Sequence, residues 1–168
     1  FGGWFADESL TTVFDFSLPI TANTTVYAKW NVVKYTVTFV ANGGSAVAEA
    51  TVESGNAVVK PEDPVKDGFV FKGWFADSEL TTVYDFAAAV TQNATVYAKW
   101  NALFTVVFDT DGGSEIVAVR VENGSTLARP ENPVKDGFAF KGWFTDEDCT
   151  EKFDFTVGIT SKITLYAK

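Results

Sequence analysis

The residues able to do chemistry in this chain are mostly carboxylates, and they recur at fixed places. Asp7, Asp77 and Asp146 form one set, and Asp15, Asp85 and Asp154 form another. Two carboxylates converging on one site could act as a general acid and base. Here each kind returns once per stretch of 69 or 70 residues (77 − 7 = 70, 146 − 77 = 69). That recurrence points to turns or caps, where a short acidic side chain accepts hydrogen bonds from backbone N–H groups. The chain has no histidine, which removes the commonest general base and any Ser-His-Asp or Cys-His arrangement. Its one cysteine, Cys149, can build neither a structural zinc site nor an intrachain disulfide. Cys149 stands where Leu10 and Leu80 stand in the other copies, so it reads as a small packing residue. Asp109-Thr110-Asp111-Gly112 with Glu115 resembles part of a calcium loop but lacks its frame. The matching Val40-Ala41-Asn42-Gly43 loses two of the carboxylates, and a hairpin turn explains the glycines better. No Walker loop or dinucleotide fingerprint is present. The expectation is therefore no catalytic residue, no metal ligand, no cofactor and no enzyme.

Aromatic side chains are the other candidates. Trp4, Trp74 and Trp143 each follow a glycine and could stack on a sugar or a protein partner. The competing reading places them in the core. On a regular pleat Trp74 would face away from Phe71, Gly73 and Phe75, so one of the two faces should be less buried. Trp30 and Trp100 fall at the ends of copies and are expected to pack against the next one.

Those residues are positioned by an internal repeat. Phe1-Gly2-Gly3-Trp4-Phe5-Ala6-Asp7 recurs from Phe71 to Asp77 and again from Phe140 to Asp146. Thr25-Val26-Tyr27-Ala28-Lys29-Trp30 recurs from Thr95 to Trp100 and from Thr164 to Lys168. Tyr35–Lys99 and Phe104–Lys168 share 31 of 65 positions, and residues 1–30 share 20 of 30 with 71–100. The predicted organisation is the C-terminal half of a module over 1–31, a complete module over 32–101 and a nearly complete one over 102–168.

Within a module, Tyr35, Val37 and Phe39 alternate with Thr36 and Thr38, which reads as a half-buried strand. Asn42-Gly43-Gly44 and Asp111-Gly112-Gly113 supply turn chemistry, and second strands are predicted around 46–53 and 115–122. Ser125–Arg129 could form one helical turn stopped by Pro130. Pro61/Pro64 and Pro130/Pro133 mark a stiff extended connector. Third strands are predicted over 69–75 and 138–144, and last strands over 94–100 and 163–168. The fold class is mainly β, with about four short strands per module and at most one helical turn. With 16 Phe, 5 Trp and 5 Tyr the chain has ample core material.

The combined pattern runs Asn/Asp-Gly-Gly-Ser, Pro-x-x-Pro-x-Lys-x-Gly-Phe-x-Phe-x-Gly-Trp-Phe, Asp-Phe and Leu/Val-Tyr-Ala-Lys-Trp. It resembles the Listeria–Bacteroides repeat and is similar to the internalin B-repeat, over essentially the whole chain. The resemblance implies a small β-grasp-like (ubiquitin- or SUMO-like) module. It also implies a tandem array in a bacterial secreted or cell-wall-attached protein, with a spacer and adhesion role. It carries no catalytic residues or cofactor.

A net charge of −9 argues against nucleic acid, and no stretch is apolar enough to span a membrane. The expected partner is a protein or host-surface ligand. The half module over 1–31, with its aromatic residues but no first strands of its own, suggests self-association. The alternative function is carbohydrate binding through the Gly-Trp aromatics.

Overall fold

The computed structural model describes all residues, 1–168. It is a β protein without helices. Nine strands form: β1 (Gly3–Phe5), β2 (Tyr27–Lys29), β3 (Lys34–Val40), β4 (Ala50–Glu53), β5 (Phe69–Phe75), β6 (Ala94–Asp109), β7 (Val119–Glu122), β8 (Trp143–Phe144) and β9 (Ile163–Ala167). β1 and β2 make a two-stranded antiparallel sheet. The other seven share one sheet in the order β4-β3-β6-β9-β8, with β5 and β7 also paired to β6.

By packing, the chain divides into two compact units. The first holds 1–38, 49–59 and 85–94; the second holds 39–48, 60–84 and 95–168. In the first unit, Lys34–Val37 pairs with Ala50–Glu53, and Ala57 bridges Ala89. Its buried side chains are Phe5, Val37, Val52, Val58 and Val90. In the second unit, one cluster gathers Val106, Phe108, Leu127, Trp143, Ile159 and Leu165. Those six come from both halves of a single sequence repeat. Half of a repeat therefore cannot bury its own apolar face.

The alternating runs fold as strands because alternation gives each one an apolar face. Val106 and Phe108 are buried while Thr105 and Val107, which alternate with them, are partly exposed. The turns that follow use two successive positive-φ residues, Asn42 (49°) with Gly43 (84°) and Asp111 (48°) with Gly112 (77°). The return bonds are Gly44 N–H to Ala41 O at 3.0 Å and Gly113 N–H to Thr110 O at 2.9 Å. This is the primed turn that suits the twist of flanking strands.

Four details depart from the sequence reading. The second strands are shorter than expected, beginning at Ala50 and Val119. Before them, the Ser45 and Ser114 N–H groups donate to Val65 O and Val134 O, both at 2.8 Å. The Val65 and Val134 N–H groups answer to the serine hydroxyls. Each chain segment is thus drawn toward the Pro-x-x-Pro stretch and away from the ladder.

The helical turn over Ser125–Arg129 is absent, because that backbone pairs elsewhere. Thr126 bridges Gly158, Gly124 N–H donates to Ile159 O, and Ile159 N–H donates to Ser125 O. In the third copy the predicted strand over 138–144 shrinks to Trp143–Phe144. In the second copy, Phe69, Val70 and Phe71 pair with Ala102, Asn101 and Trp100 of the following chain.

The largest departure is β6. The stretch expected to separate two copies, 101–103, lies inside one continuous strand of 16 residues. β5 pairs with its first part and β7 with its middle. Side chains bind the same place. Asn101 Nδ2 donates to Glu122 Oε2 and to Asn123 O, each at 3.2 Å. Lys72 Nζ reaches Glu122 Oε2 at 3.2 Å, and Arg120 lies 3.6 Å from Asp67.

Trp100 is anchored beside this junction. Its Nε1–H donates to Ala41 O at 2.8 Å, and its ring meets Phe71 edge to face at 5.4 Å. A Cβ placed on Gly44 would sit 2.4 Å from Trp100 Cζ2. Gly44→Ala is therefore expected to displace the indole and to cost about 1–3 kcal/mol, the usual range for overpacking a filled site. Chemical denaturation followed at Trp100 checks this. An unchanged midpoint with the indole still seated would contradict it.

Candidate functional site

The Phe-x-Gly-Trp-Phe motif was the strongest candidate for ligand contact, and its geometry decides which rings a ligand can reach. In β5 the register slips between Phe71 and Gly73, so Lys72 is an extra residue opposite β6. Gly73 sits at φ 114°, a conformation that side chains rarely adopt. Gly3 (115°) and Gly142 (134°) do the same. This bulge overturns the expected alternation, since one additional residue moves the following side chain to the other face. Phe71 and Trp74 consequently lie on one side, ring centroids 5.5 Å apart and edge to face. Phe140 and Trp143 repeat this at 5.4 Å.

Trp74 then packs on Phe39 at 5.1 Å and Trp143 on Phe108 at 5.1 Å. Their side chains are only 2% and 1% exposed. No ring face of either is open to a ligand. Both indole N–H groups are buried without a hydrogen-bond partner. That costs free energy, offset by burial of two large rings and their edge-to-face contacts. Trp4 differs. It is 40% exposed and rests on Phe1 at 5.5 Å.

Trp30 and Trp100 do not pack onto a following copy as expected. Trp30 meets Phe1 edge to face at 5.6 Å and stays largely exposed. Trp100 turns back onto residues 41–71, as described above. In the third copy the corresponding place is a pocket of about 80 Å³, lined by Thr110, Gly113, Lys135, Phe138 and Phe140 among others.

The opposite side of the motif is closed by Phe75 and its equivalents. Lys99 Nζ lies 4.7 Å from the Phe75 ring centroid, and Lys168 lies 5.2 Å from that of Phe144. Lysine stems cover the rings while the charged heads stay in water.

The recurring carboxylates hold loops. Asp77 accepts from the Thr81 and Thr82 N–H groups at 3.0 and 2.7 Å, and from Thr81 Oγ1 at 3.1 Å. Asp146 accepts from the Thr150 and Glu151 N–H groups at 2.8 and 2.7 Å. Asp7 accepts from the Ser9 hydroxyl and from the Thr11 and Thr12 N–H groups. Each loop places a non-glycine residue at positive φ: Leu10 (57°), Leu80 (58°) and Cys149 (52°). Cys149 thus occupies the same backbone position as the two leucines.

Hydrogen bonds to the charged form hold these three carboxyls below the usual carboxylate range. The leading donors are Ser9 for Asp7, Thr81 for Asp77 and Thr150 for Asp146. Asp15 and Asp154 are lowered likewise, chiefly by the Ser17 hydroxyl and by the Thr156 N–H. Glu122 is lowered by its bonds from Asn101 and Lys72. Each aspartate holds its own turn alone, and no group of three or more His, Cys, Asp or Glu converges as a metal site. At the loop that looked faintly like a calcium site, Lys135 Nζ lies 2.9 Å from Asp111 Oδ2 and takes the counter-charge role.

The Listeria-Bacteroides repeat domain model matches residues 1–29, 35–99 and 104–168. The chain belongs to this repeat family. A protein of Evansella cellulosilytica, provisionally named a membrane protein, is 44% identical over all of this chain and 26% of its own length. A second from the same organism, provisionally named a Gly-rich membrane protein, is 44% identical over 86% of the chain and 17% of itself. Internalin H of Listeria monocytogenes is 32% identical over 80% of the chain and 25% of itself. The chain thus spans about a quarter or less of these relatives. No helix in it is long and apolar enough to cross a membrane.

Two outcomes follow for this repeat. Trp143→Ala should cost about 3–5 kcal/mol, as truncation of a buried ring usually does, whereas Trp4→Ala should cost about 1 kcal/mol or less. Amide exchange at Leu165 and at Tyr27 in the two variants measures the contrast; equal costs would refute it. The second outcome concerns acid. A carboxyl with a lowered folded pKa contributes stability above its unfolded value, about 3.9 for aspartate. That contribution is lost as pH falls through the folded values. Melting temperature should drop below about pH 4, and less steeply in an Asp77→Asn/Asp146→Asn variant. Parallel pH profiles for the two proteins would rule the loops out as the cause.

Proposed function

We propose that this array is a non-catalytic spacer segment of a bacterial surface protein, presenting its modules to protein partners on a host or neighbouring cell. The observation that carries the reading is β6. A flexible tether needs a Gly/Ser-rich or otherwise unpaired linker. Here two consecutive copies share one strand, and β5 and β7 grip it on either side of Asn101. Asn101, Lys72 and Glu122 tie the same point with side chains. Such a junction resists bending and keeps successive modules in a fixed register, which suits spacing.

The family and the internalin relative support a surface setting, and the two Evansella relatives are consistent with it. The β-grasp-like reading fits the parallel pairing of β6 with β9 flanked by antiparallel partners. Membership of the repeat family and the internalin relative support a non-catalytic role. Carbohydrate binding through the Gly-Trp motif is less favoured, because Trp74 and Trp143 are buried; only Trp4 of the three remains for contact.

Spin labels at exposed Ser78 and Lys162, in a Cys149→Leu background, test the spacer reading. The distance distribution should be narrow. It should broaden in Asn101→Gly/Glu122→Ala, which removes the side-chain ties and weakens the strand. A broad distribution in the parent protein would end the stiff-spacer reading. Adhesion is tested separately, by binding of the immobilised chain to host-cell surface proteins and to a glycan array. Binding to glycans alone would favour the carbohydrate alternative.

A further inference from the structure

We propose that Lys72 and Asn101 join in an intramolecular isopeptide bond, with the Glu122 carboxylate carrying protons between them. The bond is a covalent modification at the point where one copy passes into the next. It goes beyond the spacer reading and does not depend on it.

Three neighbouring strands bring the groups together. Lys72 belongs to β5, Asn101 to β6 and Glu122 to β7. Val70 lies opposite Asn101, and Glu122 lies opposite Leu103. Side chains two residues apart on a strand share a face, so Lys72 and Glu122 approach Asn101 diagonally from its two sides. Lys72 Nζ and Asn101 Nδ2 each lie 3.2 Å from one and the same oxygen, Glu122 Oε2. A second bond from Nδ2 to Asn123 O, also 3.2 Å, holds the carboxamide in place. In the other ion pairs, Lys60–Asp63, Arg120–Asp67 and Lys135–Asp111, no asparagine shares the carboxylate.

An amine, a carboxamide and a carboxylate so arranged can carry out a transamidation. The Lys72 ammonium must first lose a proton, and Glu122 Oε2 is beside it to accept one. The neutral Nζ then attacks Asn101 Cγ as a nucleophile. The Nζ–Cγ bond forms and the Cγ–Nδ2 bond breaks, while Glu122 passes protons to the departing Nδ2. Of the three Nζ protons, one stays on the new amide and two leave with Nδ2 as ammonium. The carboxylate is regenerated, and no oxidant or cofactor is consumed. Holding the partners in one geometry replaces a bimolecular encounter and supplies much of the rate. The site is partly open, with the Lys72 and Glu122 side chains 44% and 30% exposed, so the reaction is expected to be slow and to follow folding.

The preceding copy provides an internal control. Gly2, Asn31 and Glu53 stand where Lys72, Asn101 and Glu122 stand in the next. A Cβ placed on Gly2 would lie 3.1 Å from Asn31 Cγ, so the motif residue and the carboxamide are neighbours there too. Glycine offers no amine, and Asn31 should remain unmodified.

The test follows the intact mass of the full chain from purification through prolonged incubation. The mass should fall by one ammonia. Trypsin should then fail to cut after Lys72 and should release a branched peptide joining Lys72 to Asn101. Lys72→Arg keeps a cation beside Glu122 and should retain the full mass. Glu122→Gln keeps a hydrogen-bond acceptor but loses the base, and should slow bond formation about a hundredfold or more. Near-ultraviolet circular dichroism checks that each variant is folded. A folded parent chain that keeps its full mass would overturn the proposal. So would ammonia loss that persists in Lys72→Arg, which would trace instead to cyclisation at Asn42-Gly43 or Asn123-Gly124. Formation at an unchanged rate in Glu122→Gln would remove Glu122 from the proton transfer.

Discussion

The structure depends on one backbone irregularity, the bulge that precedes Trp74, whose positive-φ glycine recurs before Trp4 and Trp143. Without the extra residue at Lys72, Trp74 would point away from Phe71 and toward the face that Phe75 and Lys99 occupy. Gly73 permits the bulge because it alone in that stretch tolerates φ 114°. The reward is an edge-to-face set of Phe39, Trp74 and Phe71 inside a small module. A module of this size has little interior to spare, and large rings are the efficient way to fill it.

Around that centre, each repeat divides its labour between two halves. The back half brings the tryptophan and the aspartate-pinned loop. The front half brings the strand and the segment that close over it. The third copy shows both contributions in one cluster, and residues 1–30 show the back half holding its backbone pairing. Backbone order here is local, set by the β1–β2 ladder and the Asp7 loop, whereas burial is non-local.

Much of this was legible in the sequence, and the exceptions share a cause. The period, the alternating strands, the Asn-Gly and Asp-Gly turns and the loop role of Asp7, Asp77 and Asp146 are all local signals. The facing of Trp74 was misjudged because a bulge breaks the period of two on which the argument rests. Glycine inside a strand pattern was the available clue. The helical turn at Ser125–Arg129 failed because Gly158 and Ile159, far along the chain, claimed its backbone. The shared strand at 101–103 left a fainter trace. Asn101 looked like a boundary residue, and its real partner, Glu122, could be recognised only in three dimensions.

The shared strand also changes how the array would carry load. Consider tension applied along β6 itself. The hydrogen bonds to β5, β7 and β9 then lie across the direction of force. They must yield together in shear and cannot be peeled away singly, as at a hairpin pulled from its open end. A chain assembled in this way would transmit tension through its junctions and give first at its open edges.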